Sequence, residues 1–196
     1  MLATEQSKEK LTLGLNGIEE SIKMATGRHG VHFGETINLY GPSGGGKSWV
    51  LSLLLEHALQ LDSNDNVIYL DLDGRFVSRR NKKRMNIDNT LSEQPNQEQN
   101  NNERFHLFQP NRGQLLATIQ GLDSWFYRHT NKRVTMVLVD GIAALNGNLM
   151  ETLRRLQRKW SFVLVITSLE PQSNTLCHYR FHVYKKLNQV EMKLTS

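Results

Sequence analysis

The sequence has little of what marks secreted or membrane-spanning proteins. Its only cysteine is Cys177, so an internal disulfide is excluded and a reducing compartment, the cytosol or the nucleus, is expected. No apolar run approaches the roughly 18 residues that a membrane-spanning helix needs. The polar segment 1–10 has no apolar core like that of a secretory signal. We therefore expect a soluble intracellular protein.

The pattern of a protein metal centre is also missing. The seven histidines are scattered, and none pairs with a cysteine or a carboxylate at metal-ligand spacing. A zinc site needs such a set of closely spaced nitrogen and sulfur ligands, so none is predicted.

Positive charge is in modest excess, with a net charge of +5, and it is concentrated in two places. Residues 79–84 form one dense basic block, and Arg154, Arg155, Arg158 and Lys159 form a second. This excess is compatible with an anionic partner such as a nucleic acid. The charge alone does not separate nucleic-acid binding from ordinary solvated faces.

A glycine-rich loop is the most informative feature of the chain. Residues 41–48 read Gly-Pro-Ser-Gly-Gly-Gly-Lys-Ser, the P-loop pattern, between an alternating strand over 35–40 and a helix over 47–61. Glycines let the backbone N–H groups converge on phosphate oxygens, and the helix N-terminus adds its positive dipole. The lysine supplies a charge for the outer phosphates. The predicted nucleotide-binding residues are Gly41, Pro42, Ser43, Gly44, Gly45, Gly46, Lys47, Ser48 and Trp49.

Carboxylates follow two apolar strands and complete a possible ATP site. Asp140 ends the run 134–139, and such a carboxylate, together with the Ser48 hydroxyl, suits a magnesium ion bound with the nucleotide. Asp71 and Asp73 close the strand 66–71 and could polarise the water that attacks the γ-phosphate. They could equally be strand-ending residues in a polar loop.

Strands and helices alternate along the chain in the manner of an α/β fold. The apolar strands predict a mainly parallel sheet covered by helices on both faces. The end of the chain, 179–194, is predicted to form an antiparallel pair of edge strands. Residues 86–103 are rich in Asn and Gln and nearly free of apolar side chains, which predicts a flexible polar insertion.

These features together resemble the RecA-type recombinase family. The likeness is carried in order by residues 12–21, 34–41, 69–74, 138–145 and 164–168. Segments 104–118 and 153–168 look most like the small eukaryotic recombinase paralogues of the X-ray-repair cross-complementing type, which lack an N-terminal domain. The resemblance implies a single RecA-like P-loop NTPase core over residues 11–196. The polar residues 1–10 before it are predicted to form a flexible N-terminus.

The departures from the family pattern concern hydrolysis and DNA binding. Asp73 stands where the recombinases have Glu, and Leu169 stands where a glutamine senses the γ-phosphate. The segments that would line DNA, 141–148 and 168–178, are short. By the resemblance, the protein binds ATP with Mg²⁺, hydrolyses it slowly or not at all, and does not catalyse strand exchange alone.

Three functions are consistent with the sequence. The first is a nuclear accessory protein of homologous recombination DNA repair, which pairs with another recombinase paralogue and helps the main recombinase to assemble on single-stranded DNA. The second is a stand-alone P-loop ATPase or small kinase, supported by Lys47, Ser48 and Asp140. In the third, the nucleotide only stabilises the fold or a subunit interface.

Overall fold

A sheet of seven strands forms the centre of the molecule. A computed structural model describes residues 10–61, 65–74, 76, 104–111, 113–141, 147–172, 177–187 and 189–195. Its helices are α1 (Asn16–Thr26), α2 (Lys47–Gln60), α3 (Leu115–Arg128) and α4 (Gly147–Trp160). Its strands are β1 (Lys10–Leu11), β2 (Val31–His32), β3 (Thr36–Tyr40), β4 (Asp65–Asp71), β5 (Phe105–Phe108), β6 (Arg133–Asp140), β7 (Val163–Ser168), β8 (Tyr179–Lys186) and β9 (Gln189–Thr195).

The strands of the large sheet lie in the order β5, β4, β6, β7, β3, β8, β9, and β1 and β2 form a separate short antiparallel pair. The six strands from β5 to β8 are parallel to their neighbours, and β9 is antiparallel to β8. This confirms the predicted α/β fold, a P-loop NTPase core with a mainly parallel sheet and C-terminal antiparallel strands. Because β7 lies between β3 and β6, the residues that follow these three strands meet at one edge of the sheet.

Both faces of the central strands of the sheet are buried under helices. In β6, Met136 and Leu138 pack in the cluster that contains α1 and α2, whereas Val137 and Val139 pack in the cluster that contains α3 and α4. Successive strand residues point to opposite faces, so a strand covered on both sides is apolar along its whole length. The continuous apolar runs identified in the sequence are explained by this arrangement.

Helix α2 lies where the sequence predicts it, but its buried face is rotated. The pattern places Leu53 and Leu61 on that face, and both are partly exposed, whereas Leu51 and Leu55 are buried. Residues 50–55 are apolar at every position but one, so their spacing does not select one face. Met24 of α1 is 85% exposed and does not pack against the core.

The C-terminal pair differs from the prediction in one respect. β8 and β9 are antiparallel, as expected, but β8 also pairs with β3, so of these two strands β9 alone lies at an edge of the sheet. Phe181 and Val183 of β8 are fully buried, whereas the residues that alternate with them are not. The N-terminal residues 1–9, the basic block 79–84 and the polar insertion 86–103 lie outside the described residues.

No described helix is long and apolar enough to span a bilayer.

Candidate nucleotide-binding site

The P-loop connects β3 to α2 at the carboxyl edge of the sheet. Gly46 caps α2 with a left-handed φ of 104°, and Gly44 has a φ of 74°. A Cβ atom on Gly46 would lie 2.6 Å from Cγ2 of Val190 in β9, so this position requires glycine for both its backbone and its packing.

The C-terminal hairpin supports the loop from behind. A Cβ atom on Gly41 would lie 2.2 Å from the Val183 carbonyl oxygen of β8, and one on Gly45 would lie 2.8 Å from the same atom. On the other side, the Gly41 N–H donates to the Ser168 carbonyl of β7 over 3.3 Å. The loop is therefore fixed between β7 and β8.

The Lys47 side chain extends across the loop to its first residues. Its Nζ donates to the carbonyls of Gly41 at 2.7 Å and Pro42 at 2.8 Å. Partial burial lowers the pKa of Lys47, and the negative charges of Asp140 and Asp73 oppose that shift. The predicted cation is thus stabilised by the charges of both predicted carboxylates.

The Asp140 carboxylate is held in one orientation by two hydroxyls. It is almost fully buried at the end of β6, where Oδ1 accepts from the Thr167 hydroxyl at 2.8 Å and Oδ2 accepts from the Tyr69 hydroxyl at 3.2 Å. The Thr167 oxygen accepts in turn from the Gly141 N–H at 2.9 Å. A carboxylate fixed in this way needs no reorientation when a cation binds to it.

Asp73 lies beside Asp140, and Asp71 does not share its role. A Cβ atom on Gly141 would lie 2.7 Å from Oδ1 of Asp73, so this carboxylate packs directly against the backbone that follows Asp140. Asp71 is buried, and its Oδ2 accepts from the Phe76 N–H at 2.9 Å and the Gln109 amide at 2.7 Å. The geometry therefore favours Asp73 as the carboxylate near a nucleotide and gives Asp71 the task of ordering its own turn.

The donors around the loop fit a nucleotide phosphate chain. The first four N–H groups of a helix have no partner inside the helix, and the first turn of α2 contains Lys47 and no acidic residue to compete for them. A Cβ atom on Gly44 would have no neighbour within 4 Å, which leaves space beside the loop. Residues 41–48 therefore suit the phosphates.

A magnesium ion bound with the nucleotide would be held by Ser48 and Asp140. Mg²⁺ in nucleotide sites commonly uses one or two protein oxygens together with phosphates and waters. Such a site does not require the larger ligand cluster that is absent from the described residues, where no three His, Cys, Asp or Glu side chains converge. Trp49 is half exposed on the first turn of α2, and its contact with a nucleotide stays a prediction.

Two further predicted features are the residue after β7 and the basic cluster on α4. Leu169 follows β7 and is 59% exposed, so an apolar side chain stands where a polar sensor is expected. The basic cluster on α4 lies on the sheet face opposite α2, and much of its charge is paired, because Arg154 and Arg158 contact Glu151 and Lys159 contacts Asp123. Residues 142–146 and 173–176 of the two short segments lie outside the described part of the chain.

The sequence did not identify the residues that position this site. Tyr69 and Thr167 orient Asp140, and Val183 and Val190 support the loop. A hydroxyl at the end of an apolar strand was the available signal for Thr167. No signal could identify the two valines, because the alternation of apolar residues within a strand does not show which strands are its neighbours in the sheet.

Comparison with known proteins gives one match. A family model described as an AAA domain matches residues 34–171, which include β3, the P-loop, Asp73, Asp140 and β7. No curated protein matches the chain. The match supports a nucleotide-binding P-loop NTPase domain, and the finer likeness to recombinase paralogues stays a prediction.

Proposed function

The chain belongs to the AAA domain family of nucleotide-binding P-loop proteins, and on that premise we propose that it is an ATP-binding accessory protein of homologous recombination. In this proposal it acts in the nucleus within a heteromeric complex that contains another recombinase paralogue. The complex assists the main recombinase to assemble on single-stranded DNA. ATP binding serves assembly, and hydrolysis is weak.

One contrast carries the proposal: the groups that bind a nucleotide are complete, and the groups that would drive hydrolysis are altered. Lys47 bonds to the backbone of the P-loop, and the charge of the oriented Asp140 raises the pKa of Lys47 against the effect of burial. Asp73 is one methylene shorter than the Glu expected from the resemblance, and it rests against Gly141. Leu169 has no hydrogen-bonding group. Bound Mg²⁺ would neutralise phosphate charge, whereas water activation needs a carboxylate with sufficient reach.

The binding step is tested with a fluorescent ATP analogue and Mg²⁺. We expect saturable binding to the wild-type chain and its loss in Lys47→Ala. The matched control is Lys23→Ala, which removes an exposed lysine from the last turn of α1. Wild-type protein that binds no nucleotide under these conditions would contradict the proposal at its first step.

The altered hydrolysis set is tested by restoring it. We expect little phosphate release by the wild-type chain and a clear increase in the double variant Asp73→Glu, Leu169→Gln, at unchanged ATP affinity. Asp140→Asn in the same background removes the magnesium carboxylate and serves as the negative control. If the double variant releases phosphate no faster than the wild type, the two departures are not what limits hydrolysis.

The partner is tested by purifying the chain from its native cell and identifying the bound proteins and nucleotide by mass spectrometry. Recovery of a recombinase paralogue, with loss of that partner in Lys47→Ala, supports nucleotide-dependent assembly. Recovery of unrelated partners alone would refute the recombination role and leave the nucleotide-binding domain intact.

A second function, a stand-alone ATPase or small kinase, is favoured by the complete set of Lys47, Ser48 and Asp140. Robust Lys47-dependent turnover without a partner or DNA would support it over the accessory role. A purely structural nucleotide would instead raise the stability of the fold by RT ln(1 + [L]/Kd) without any turnover.

A further inference from the structure

One face of the C-terminal part of the sheet has no described helix packed on it. Phe181 and Val183 point into the core cluster that contains α1 and α2, so the alternate residues of β8 point to the other face. Directly opposite residues of an antiparallel pair share a face, which extends this surface onto β9. The surface, called here the C-terminal face, consists of Tyr40, Arg180, His182, Tyr184, Lys186, Gln189, Glu191, Lys193 and Thr195.

A row of aromatic rings crosses this face. The rings of Tyr40 and His182 are stacked, with centroids 5.1 Å apart and planes 19° apart, and the ring of Tyr184 follows at 5.1 Å from His182. Hydrogen bonds at the ends of the row restrain the two tyrosines, because Tyr184 donates to Glu191 at 2.8 Å and Tyr40 donates to Thr195 at 3.3 Å. Rings ordered in advance lose little entropy when a flat ligand stacks on them.

The cations of the C-terminal face are available to a ligand. Arg180, Lys186 and Lys193 form no ion pair within the described residues, and Lys186 and Lys193 are exposed. The one acidic residue of the set, Glu191, accepts from Tyr184. The face is therefore net positive, in contrast to α4, whose cations are largely paired.

We propose that the C-terminal face binds single-stranded DNA, with bases stacked on Tyr40 and Tyr184, the rings at the ends of the row that His182 joins, and with phosphates held by Arg180, Lys186 and Lys193. This deepens the proposed function and rests on it. Aromatic platforms within a positively charged groove are the usual means of binding single strands without sequence preference. A duplex keeps its bases stacked inside and cannot use the rings, so the face favours single strands.

The test measures binding of the full chain to fluorescein-labelled oligothymidine by fluorescence anisotropy over a range of salt concentrations. Tyr184→Ala should weaken binding between about fivefold and about 150-fold, the range found when a stacking ring is removed. Tyr184→Phe keeps the ring and removes only the bond to Glu191, so it should lose much less affinity than Tyr184→Ala. The double variant Arg180→Gln, Lys193→Gln should reduce the slope of log affinity against log salt by about 0.7 for each phosphate that the protein no longer neutralises.

Lys23→Gln is the control for nonspecific charge, because it removes an exposed cation from α1 on the opposite layer. The expected result is an unchanged salt slope. If Tyr184→Ala fails to fold, the salt slope of the charge variant decides the question.

The outcomes separate this surface from the proposed function. If all the variants bind oligothymidine as tightly as the wild type, the C-terminal face is not the binding site. The proposed accessory role is unaffected by that result. Variants that lose a protein partner yet bind oligothymidine normally would identify the face as a protein interface and overturn the proposal. A wild-type chain that binds ATP but no oligothymidine would also overturn the DNA-binding proposal. A wild-type chain that binds no ATP would refute the proposed function itself.

Discussion

Replacing Thr167 with valine tests how the Asp140 carboxylate is held. The substitution keeps the branched shape and removes a hydroxyl that donates to Oδ1 of Asp140 and accepts from the Gly141 N–H. A hydrogen bond to a charged group contributes roughly 1.5–3 kcal/mol and a neutral one about 1 kcal/mol, so we expect a loss of about 2.5–4 kcal/mol in unfolding free energy. That is a large fraction of the stability of an ordinary domain.

Thr135→Val is the matched control. Thr135 lies on β6, at the irregularity where β6 pairs with β4, and it is as buried as Thr167. Its hydroxyl has no hydrogen-bond partner in the described part of the chain. Because a buried, unpaired hydroxyl is itself unfavourable, this substitution should leave stability unchanged or increase it.

Urea unfolding followed by circular dichroism measures both variants, and ATP affinity in Mg²⁺ provides a second readout. Thr167→Val should be the less stable variant and the weaker ATP binder, since its Asp140 carboxylate is no longer held by the hydroxyl. Equal unfolding free energies for the two variants would refute the reasoning, because size and burial are the same and only the hydrogen bonds differ.

Three single residues provide further tests. Burial, followed by the charges of Lys132 and His129, lowers the pKa of His106 from 6.5 to about 4. The neutral His106 therefore contributes its full stabilisation above pH 6.5, and this contribution is lost as the pH falls towards 4. His106→Gln should flatten the dependence of the urea midpoint on pH between these two values. Burial raises the pKa of the Cys177 thiol to about 11, so it should react with Ellman's reagent at pH 8 only after unfolding, and fast labelling of native protein would contradict its buried position. Gly46→Ala should abolish binding of the fluorescent ATP analogue, because both its φ and its packing against Val190 exclude a side chain, and Val190→Ala should not restore binding, since the backbone strain remains.

The parts of the fold that the sequence predicts well are those with a local cause. The strand that ends at Tyr40, the loop and the start of α2 follow from adjacent residues, and the apolar run of β6 correctly indicates burial on both faces. The rotated face of α2 was not predictable, because nearly every residue from Val50 to Leu55 is apolar.

The parts of the site that were not predictable depend on which strands are neighbours. Asp140 and Asp73 could be expected to meet, since parallel strands end at one edge. That Thr167 contacts Asp140, and that Val183 lies against the loop, depends on β7 and β8 flanking β3. Periodicity gives the face to which a side chain points and does not give the strand beside it.

The support that β8 and β9 give to the P-loop has a consequence for the growing chain. Synthesis proceeds from the N-terminus at about 5–20 residues per second, so residues 41–48 leave the ribosome well before Val183 and Val190 are made. During that interval the phosphate loop has its complete sequence without the strands against which it rests. We expect ATP to bind only after β9 has been added, so a chain truncated before β8 would keep every motif residue and still fail to bind the nucleotide.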